Sequence, residues 1–306
     1  KDKGLVLSRR NKICHADLPR LREGGVDAFV AISFVSPNTV PKDEWWNLTV
    51  SSIKTIRAQV EEFGGQARVC ASASQARDVA RSGRIAVVLG VEGGHVLDDR
   101  LSRLDDLYEL GVRVLVLTWS TGPVWATPSD VPASGEDDPG LSDFGREVVR
   151  RCNDLGIVID VSHASPKTVD DVLAVSRHPI MASHSACRAL HDHHRNLDDD
   201  RIRTIARSGG VVGVPVHPPF LTDRSASETT VSDIADHFDY LRAVGGASVC
   251  ALGTDFDGIP EGPSDMPDVT HLPHLTDELV RRGWSEEDIT TALGRNAARV
   301  FATVCP

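Results

Sequence analysis

Short apolar runs alternate with amphipathic stretches along most of the chain. The runs are DAFVAISFV (27–35), RIAVVLGV (84–91), VRVLVLTW (112–119), GIVIDVSH (156–163), PIMASH (179–184), GGVVGVPV (209–216) and SVCALGTDF (248–256). Several are unbroken Val/Ile/Leu stretches, the pattern of parallel strands covered on both faces. Between them, TVSSIKTIRAQVEEF (49–63) places Ile53, Ile56, Val60 and Phe63 at helical spacing. The segments 142–156, 165–176, 197–209, 230–246 and 285–301 repeat that pattern. The first opens on a capping serine, Ser142, and closes on Gly156, and the last opens on Ser285 with Asp288 three residues on. The polar stretch TPSDVPASGEDDPG (127–140) reads as one long surface loop.

Strand–helix alternation sustained this far leaves a doubly wound sheet or a (β/α)8 barrel. No G-x-G-x-x-G follows the first strand, which disfavours a dinucleotide-binding fold. A barrel calls for polar residues at the C-terminal ends of several strands, converging on one face. That pattern is present: Glu92 follows IAVVLGV, His163 follows IVIDVS, His184 follows IMAS, and Asp255 follows CALGT. The expected architecture is a (β/α)8 TIM barrel spanning residues 1–306 as one domain. Seven strands are readable where such a barrel needs eight.

Composition narrows the partners. Hydrophobic residues make up 41% and charged residues 25%, enough for a sizeable core. A net charge of −11 argues against nucleic acid or an anionic membrane as partner. No apolar run approaches the roughly 20 residues of a transmembrane helix. KDKGLVLSRR does not read as a secretory signal, so a cytoplasmic location is expected. Six cysteines at 14, 70, 152, 187, 250 and 305 form no C-x-x-C pair, against a thiolate zinc site. A homodimer is an open expectation.

Glu92, His163 and His184 make a two-imidazole, one-carboxylate set suited to zinc and other borderline divalent ions. Singly, each has an ordinary structural reading; three strand ends carrying such residues together favour a metal. Asp255, in GTDFDG, is the candidate proton carrier beside that metal, with Asp257 the better turn former. Arg195, in HHRNLDDD, has the guanidinium fork that clamps carboxylates, in what reads as an exposed loop. HDHH (191–194) looks like a histidine cluster but reads as a solvated loop. HAD (15–17) has ligand spacing but only KIC before it, too short a run for a barrel strand. Without G-x-S-x-G there is no α/β-hydrolase elbow.

At these residues the sequence closely resembles the renal (membrane) dipeptidase family of zinc peptidases. The features that carry the resemblance are GVEGGH, DLYELGVRVLVLTW, GLSDFGREVVRRCNDLGIVIDVSH, ASHSACRAL, RNLDDDRI and GTDFDG, in the family's order. The resemblance implies a metal-dependent hydrolase barrel with a two-zinc centre bridged by Glu92, and His163 and His184 on the second ion. It implies that Arg195 binds the C-terminal carboxylate of a dipeptide, and that Asp255 handles the amino group and the proton. The implied reaction is hydrolysis of dipeptides, including those with a C-terminal D-residue, by metal-activated water. The family's first strand ends in His-x-Asp; here CHADLPRLREGGVDAFV aligns with the segment before the second strand. The first strand is therefore expected to be missing, leaving one zinc instead of two. Trp119 stands where many relatives have a substrate-contacting His. The alternatives are another amidohydrolase on the same barrel, a deacylase or lactonase, or a non-catalytic relative with an incomplete metal site.

Overall fold

A computed structural model describes residues 6–306. Eight parallel strands form one sheet: β1 (Ala28–Phe34), β2 (Ala67–Val69), β3 (Ile85–Glu92), β4 (Val112–Val116), β5 (Val158–Asp160), β6 (Met181–Ala182), β7 (Val211–Val214) and β8 (Cys250–Leu252). The path runs β1-β3-β4-β5-β6-β7-β8, with helices in the connections, as in a (β/α)8 barrel. All seven predicted strands lie on it. The eighth, β2, was not foreseen and sits off the path: Ala67–Val69 pairs with Ile85–Val87, below the point where β4 joins β3. Among the described residues β1 and β8 are the two ends of the path.

Alternate side chains of the strands face opposite ways, and the packing follows that period. Leu89, Val91, Leu115 and Ile159 point outward into the main core beneath the helices. Val88, Val114, Val158, Met181, Val211 and Ala251 point inward and fill the interior. Val300, Phe301 and Val304, on the helix Asn296–Val304, join that inner cluster and close its lower end. The Val304 carbonyl there lies against Gly156, directly before β5. Gly90 belongs to the inner face because Ile32 crosses over it; a Cβ would stand 2.6 Å from the Ile32 Cδ1. Val30, Ile32 and Phe34, at the end of the path, keep about 40% of their surface exposed.

Helix signals were well placed. Ser142 caps Asp143–Leu155 by accepting from the Gly145 amide, and Gly156 ends it at φ 78°. Thr230 and Asp233 form a reciprocal cap on Val231–Gly245. Ser285 caps Glu286–Thr290, after which a wider turn, Thr291–Arg295, leads into Asn296–Val304. The stretch 127–140 departs from a plain surface loop. Thr127 and Ser129 are buried, Asp130–Ala133 is helical, and Ala126 and Pro128 bridge to Leu141 and Ala164. HAD is structural as well: fully buried Asp17 caps the helix Leu18–Glu23 and pairs with Arg20 at 2.8 Å.

Gly253, just past β8, has no room for a side chain, since a Cβ would overlap the Ser183 carbonyl oxygen. Gly294 has nothing among the described residues within 4 Å of its Cβ position. Gly253→Ala should therefore destabilise by about 1–3 kcal/mol or more, because backbone must yield. Gly294→Ala should be neutral or stabilise by about 0.4–1 kcal/mol through the unfolded chain. Urea denaturation of both variants checks the contrast.

Candidate metal centre

The strand ends bring Glu92, His163 and His184 together. Glu92 is the last residue of β3, in register with Phe34 and Val116 and two residues beyond Gly90 on the inner face. His163 lies three residues past the end of β5, His184 two past β6. His163 adopts φ 69°, a left-handed conformation uncommon outside glycine, and its carbonyl accepts from the Ser129 amide. The His163 Nε2 stands 3.1 Å from the Glu92 Oε1, and the His184 Nε2 3.9 Å from the same oxygen. One ligand atom from each of the three lies within 4.8 Å of the others.

The donor set fits a divalent cation on its own chemistry. Burial, reinforced by the Arg195 charge, drives the pKa of both imidazoles well below the usual histidine range, so each stays neutral with a lone pair. The His184 Nε2 is buried and has no hydrogen-bond partner among the described residues. Burial raises the Glu92 carboxyl to about 7, with Arg195 opposing. A carboxylate that dry is short of positive charge, and a cation between it and two neutral imidazoles supplies it.

Arg195 is not the exposed loop charge that its local sequence suggests. It is buried, 5.1 Å over the Phe220 ring, and its Nε and Nη2 have no hydrogen-bond partner among the described residues. Burial lowers its pKa to about 10, against the pull of Asp255, Glu92, Asp160 and Asp130. Nor is HDHH solvated throughout: Asp192 is exposed, but the histidines are half-buried. His193 packs on Phe220 at 4.8 Å and on His194 at 4.5 Å, and accepts the Arg195 amide through its Nδ1. His194 reaches the Ser129 hydroxyl at 3.1 Å. This loop walls in the guanidinium.

Asp255 turns at φ 57° beyond β8. Burial, then repulsion from Glu92, raises its carboxyl to about 7, with Arg195 pulling the other way. Asp257 has the turn role, at φ 73°, with its Oδ1 accepting the His15 amide. Two groups at the site were missed. His217 follows β7, packs on Phe220 at 4.6 Å and is lowered to about 4 by burial; the strand-end rule applied to GGVVGVPV would have found it. Asp160 is the last residue of β5 and almost fully buried, and its signal was an acid inside an apolar run.

A parallel barrel carrying this donor set at its strand ends defines a metal-dependent hydrolase. The chain belongs to the membrane dipeptidase family (peptidase family M19), whose family model it matches over residues 6–305. An uncharacterised dipeptidase of Schizosaccharomyces pombe is 34% identical over 302 residues, 94% of this chain and 71% of that protein. Two solved structures are similar at 26% identity. The metallopeptidase of Rhodobacter sphaeroides, liganded with a phosphinate mimic of L-Ala-D-Ala, has a TM-score of 0.89 over 96% of this chain and 91% of its own. The probable dipeptidase PvdM of Pseudomonas aeruginosa has 0.90 over 97% and 90%. The protein is a metallo-dipeptidase, and among the described residues no helix is long and apolar enough to cross a membrane.

A ligand that binds only the folded state stabilises it by mass action. Adding zinc, cobalt or manganese to metal-free protein should stabilise it by about 2.7 kcal/mol at a hundred times the dissociation constant, and so raise its unfolding midpoint. His184→Ala should abolish the shift, and a chelator should reverse it in the wild type. Scanning fluorimetry reads all three; an identical shift in the variant would remove His184 from the ligand set.

Proposed function

We propose that Glu92, His163 and His184 hold one zinc ion, that Arg195 binds the C-terminal carboxylate of a dipeptide, and that Asp255 carries the proton. The observation that supports this most is the buried guanidinium of Arg195, with two nitrogens lacking partners in the same charged neighbourhood as Glu92 and Asp255. A buried cation with free donors is costly unless an anion arrives. A dipeptide brings one.

Zinc bound at these ligands would polarise the scissile carbonyl and lower the pKa of water towards neutrality. The protein's own groups do the rest. Arg195 anchors one end of the substrate through paired charge-assisted hydrogen bonds, which leaves little freedom at the peptide bond. Asp255, raised to about 7, is poised to exchange protons at neutral pH. It takes a proton from the attacking water as the new C–O bond forms. It returns that proton to the amine nitrogen as the C–N bond breaks, so two amino acids leave and the carboxylate is restored. The metallopeptidase with the bound L-Ala-D-Ala mimic supports acceptance of a C-terminal D-residue. All six cysteines are free, which supports a reducing compartment such as the cytoplasm.

Arg195→Ala should raise KM for L-Ala-D-Ala by about 10- to 100-fold, the effect of losing about 1.5–3 kcal/mol of charged hydrogen bonding. The dipeptide amide should show the same loss with wild-type enzyme and no further loss with the variant. Equal KM values for both enzymes on the free dipeptide would end the assignment. Elemental analysis of the 306-residue chain should find close to one zinc per chain, and two would bring further ligands into the account.

A further inference from the structure

His15 and Asp257, 242 residues apart in sequence, hold each other by two hydrogen bonds. The His15 amide donates to the Asp257 Oδ1 at 2.6 Å, and the Asp257 amide donates back to the His15 Nδ1 at 3.2 Å. The imidazole also lies 5.6 Å from the Phe256 ring. Asp255 and Asp257 belong to one reverse turn, closed by the Gly258 amide on the Asp255 carbonyl at 3.0 Å. Asp257 takes the third position of that turn at φ 73°, where glycine or asparagine is usual. The Asp255 carboxylate packs directly over Gly258, since a Cβ there would overlap its Oδ1. Turn and carboxylate therefore move together.

We infer that His15 is a positioning residue for Asp255: by taking the Asp257 amide it fixes the turn 255–258, and with the turn the carboxylate. The inference rests on reading Asp255 as the proton carrier. Among the described residues, backbone bonding towards β7 ends at Thr254, whose carbonyl accepts the Val216 amide at 3.3 Å. The turn begins at the next residue, so its restraint comes from outside the sheet. His15 is a firm anchor for it. The His15 carbonyl accepts the Val269 amide at 3.2 Å. Buried Arg20 holds the neighbouring Cys14 carbonyl at 2.6 Å and pairs with the fully buried Asp17 at 2.8 Å. Positive φ at Asp255 and again at Asp257 is a strain that the turn would shed if released. A proton carrier works only within hydrogen-bond reach of its partner, and a displacement of about 1 Å can cost about a hundredfold in rate.

His15→Leu removes the acceptor for the Asp257 amide, while His15→Asn supplies a side-chain oxygen in place of Nδ1. On L-Ala-D-Ala, His15→Leu should lower kcat by about 10- to 100-fold. KM should stay within about twofold, because Arg195 is untouched. His15→Asn should restore kcat to near the wild-type value. Hydrogen exchange of the Asp257 amide should quicken in His15→Leu and stay slow in His15→Asn. Asp257→Gly carries the test if His15→Leu does not fold: glycine takes φ 73° without strain, so the variant loses the bond to the His15 amide and keeps the turn's conformation open to it. It too should lose kcat and keep KM. Wild-type kcat in the folded variants, or the same loss in His15→Asn as in His15→Leu, would overturn the inference. Full activity of Asp255→Asn would instead overturn the proton-carrier reading, while exchange at Asp257 still reports whether His15 holds the turn.

Discussion

Charge held in a dry, apolar barrel mouth is the constraint around which the rest of this protein is arranged. Glu92 and Asp255 are pushed up to about 7 and Arg195 down to about 10, in each case first by burial. Removing one such group from water costs several kcal/mol unless something opposite is close. Here the groups compensate one another only in part: the guanidinium opposes both carboxyls, while the carboxyls oppose each other. Donors and lone pairs are left over on Arg195, His184 and His217. Such a set suits an incoming cation and an incoming carboxylate better than it suits itself.

What makes the arrangement tolerable is a sheet too well packed to relax. Val88, Val114, Val158, Met181 and Val211 fill the interior beneath the site, and the helix Asn296–Val304 closes the lower end. Ser183 sits against Gly213 and Gly253, where any Cβ would overlap its carbonyl. The segment that carries His184 therefore has neighbours on both sides and a carboxylate holding its amide. Rigid elements hold a constellation better than loops do.

The strand ends were legible because the chemistry interrupts unbroken apolar runs: Glu92, His163, His184 and Asp255 each stop a stretch of Val, Ile or Leu. β2 was not, since Ala67–Val69 is three residues long and offers no run at all. Burial of Arg195 was hidden for a different reason. HDHHRN is polar locally, and what covers it comes from far along the chain, Phe220 on one side and Ser129 on the other. Periodicity reports which face a residue takes within its own element, not what a distant loop lays over it. Residue chemistry offered Asp255 as a candidate proton carrier and Arg195 as a candidate carboxylate clamp, and resemblance to the family sharpened both expectations, while Asp160 and His217 needed only the strand-end argument carried through.

Two residues of the site, His163 and Asp255, turn at positive φ where glycine is the usual choice. Each such conformation costs of order 1–3 kcal/mol and persists only where the surroundings over-determine it. The surroundings can be named. The Ser129 amide holds the His163 carbonyl at 2.8 Å, and the Gly258 amide holds the Asp255 carbonyl at 3.0 Å. Glycine would remove the strain and with it the functional side chain. The chain keeps imidazole and carboxylate at the two turns and meets the cost with backbone bonds from Ser129, in a stretch that reads as loop, and from Gly258, three residues past Asp255. The buried course of residues 127–129 is thus part of the support of the candidate metal site.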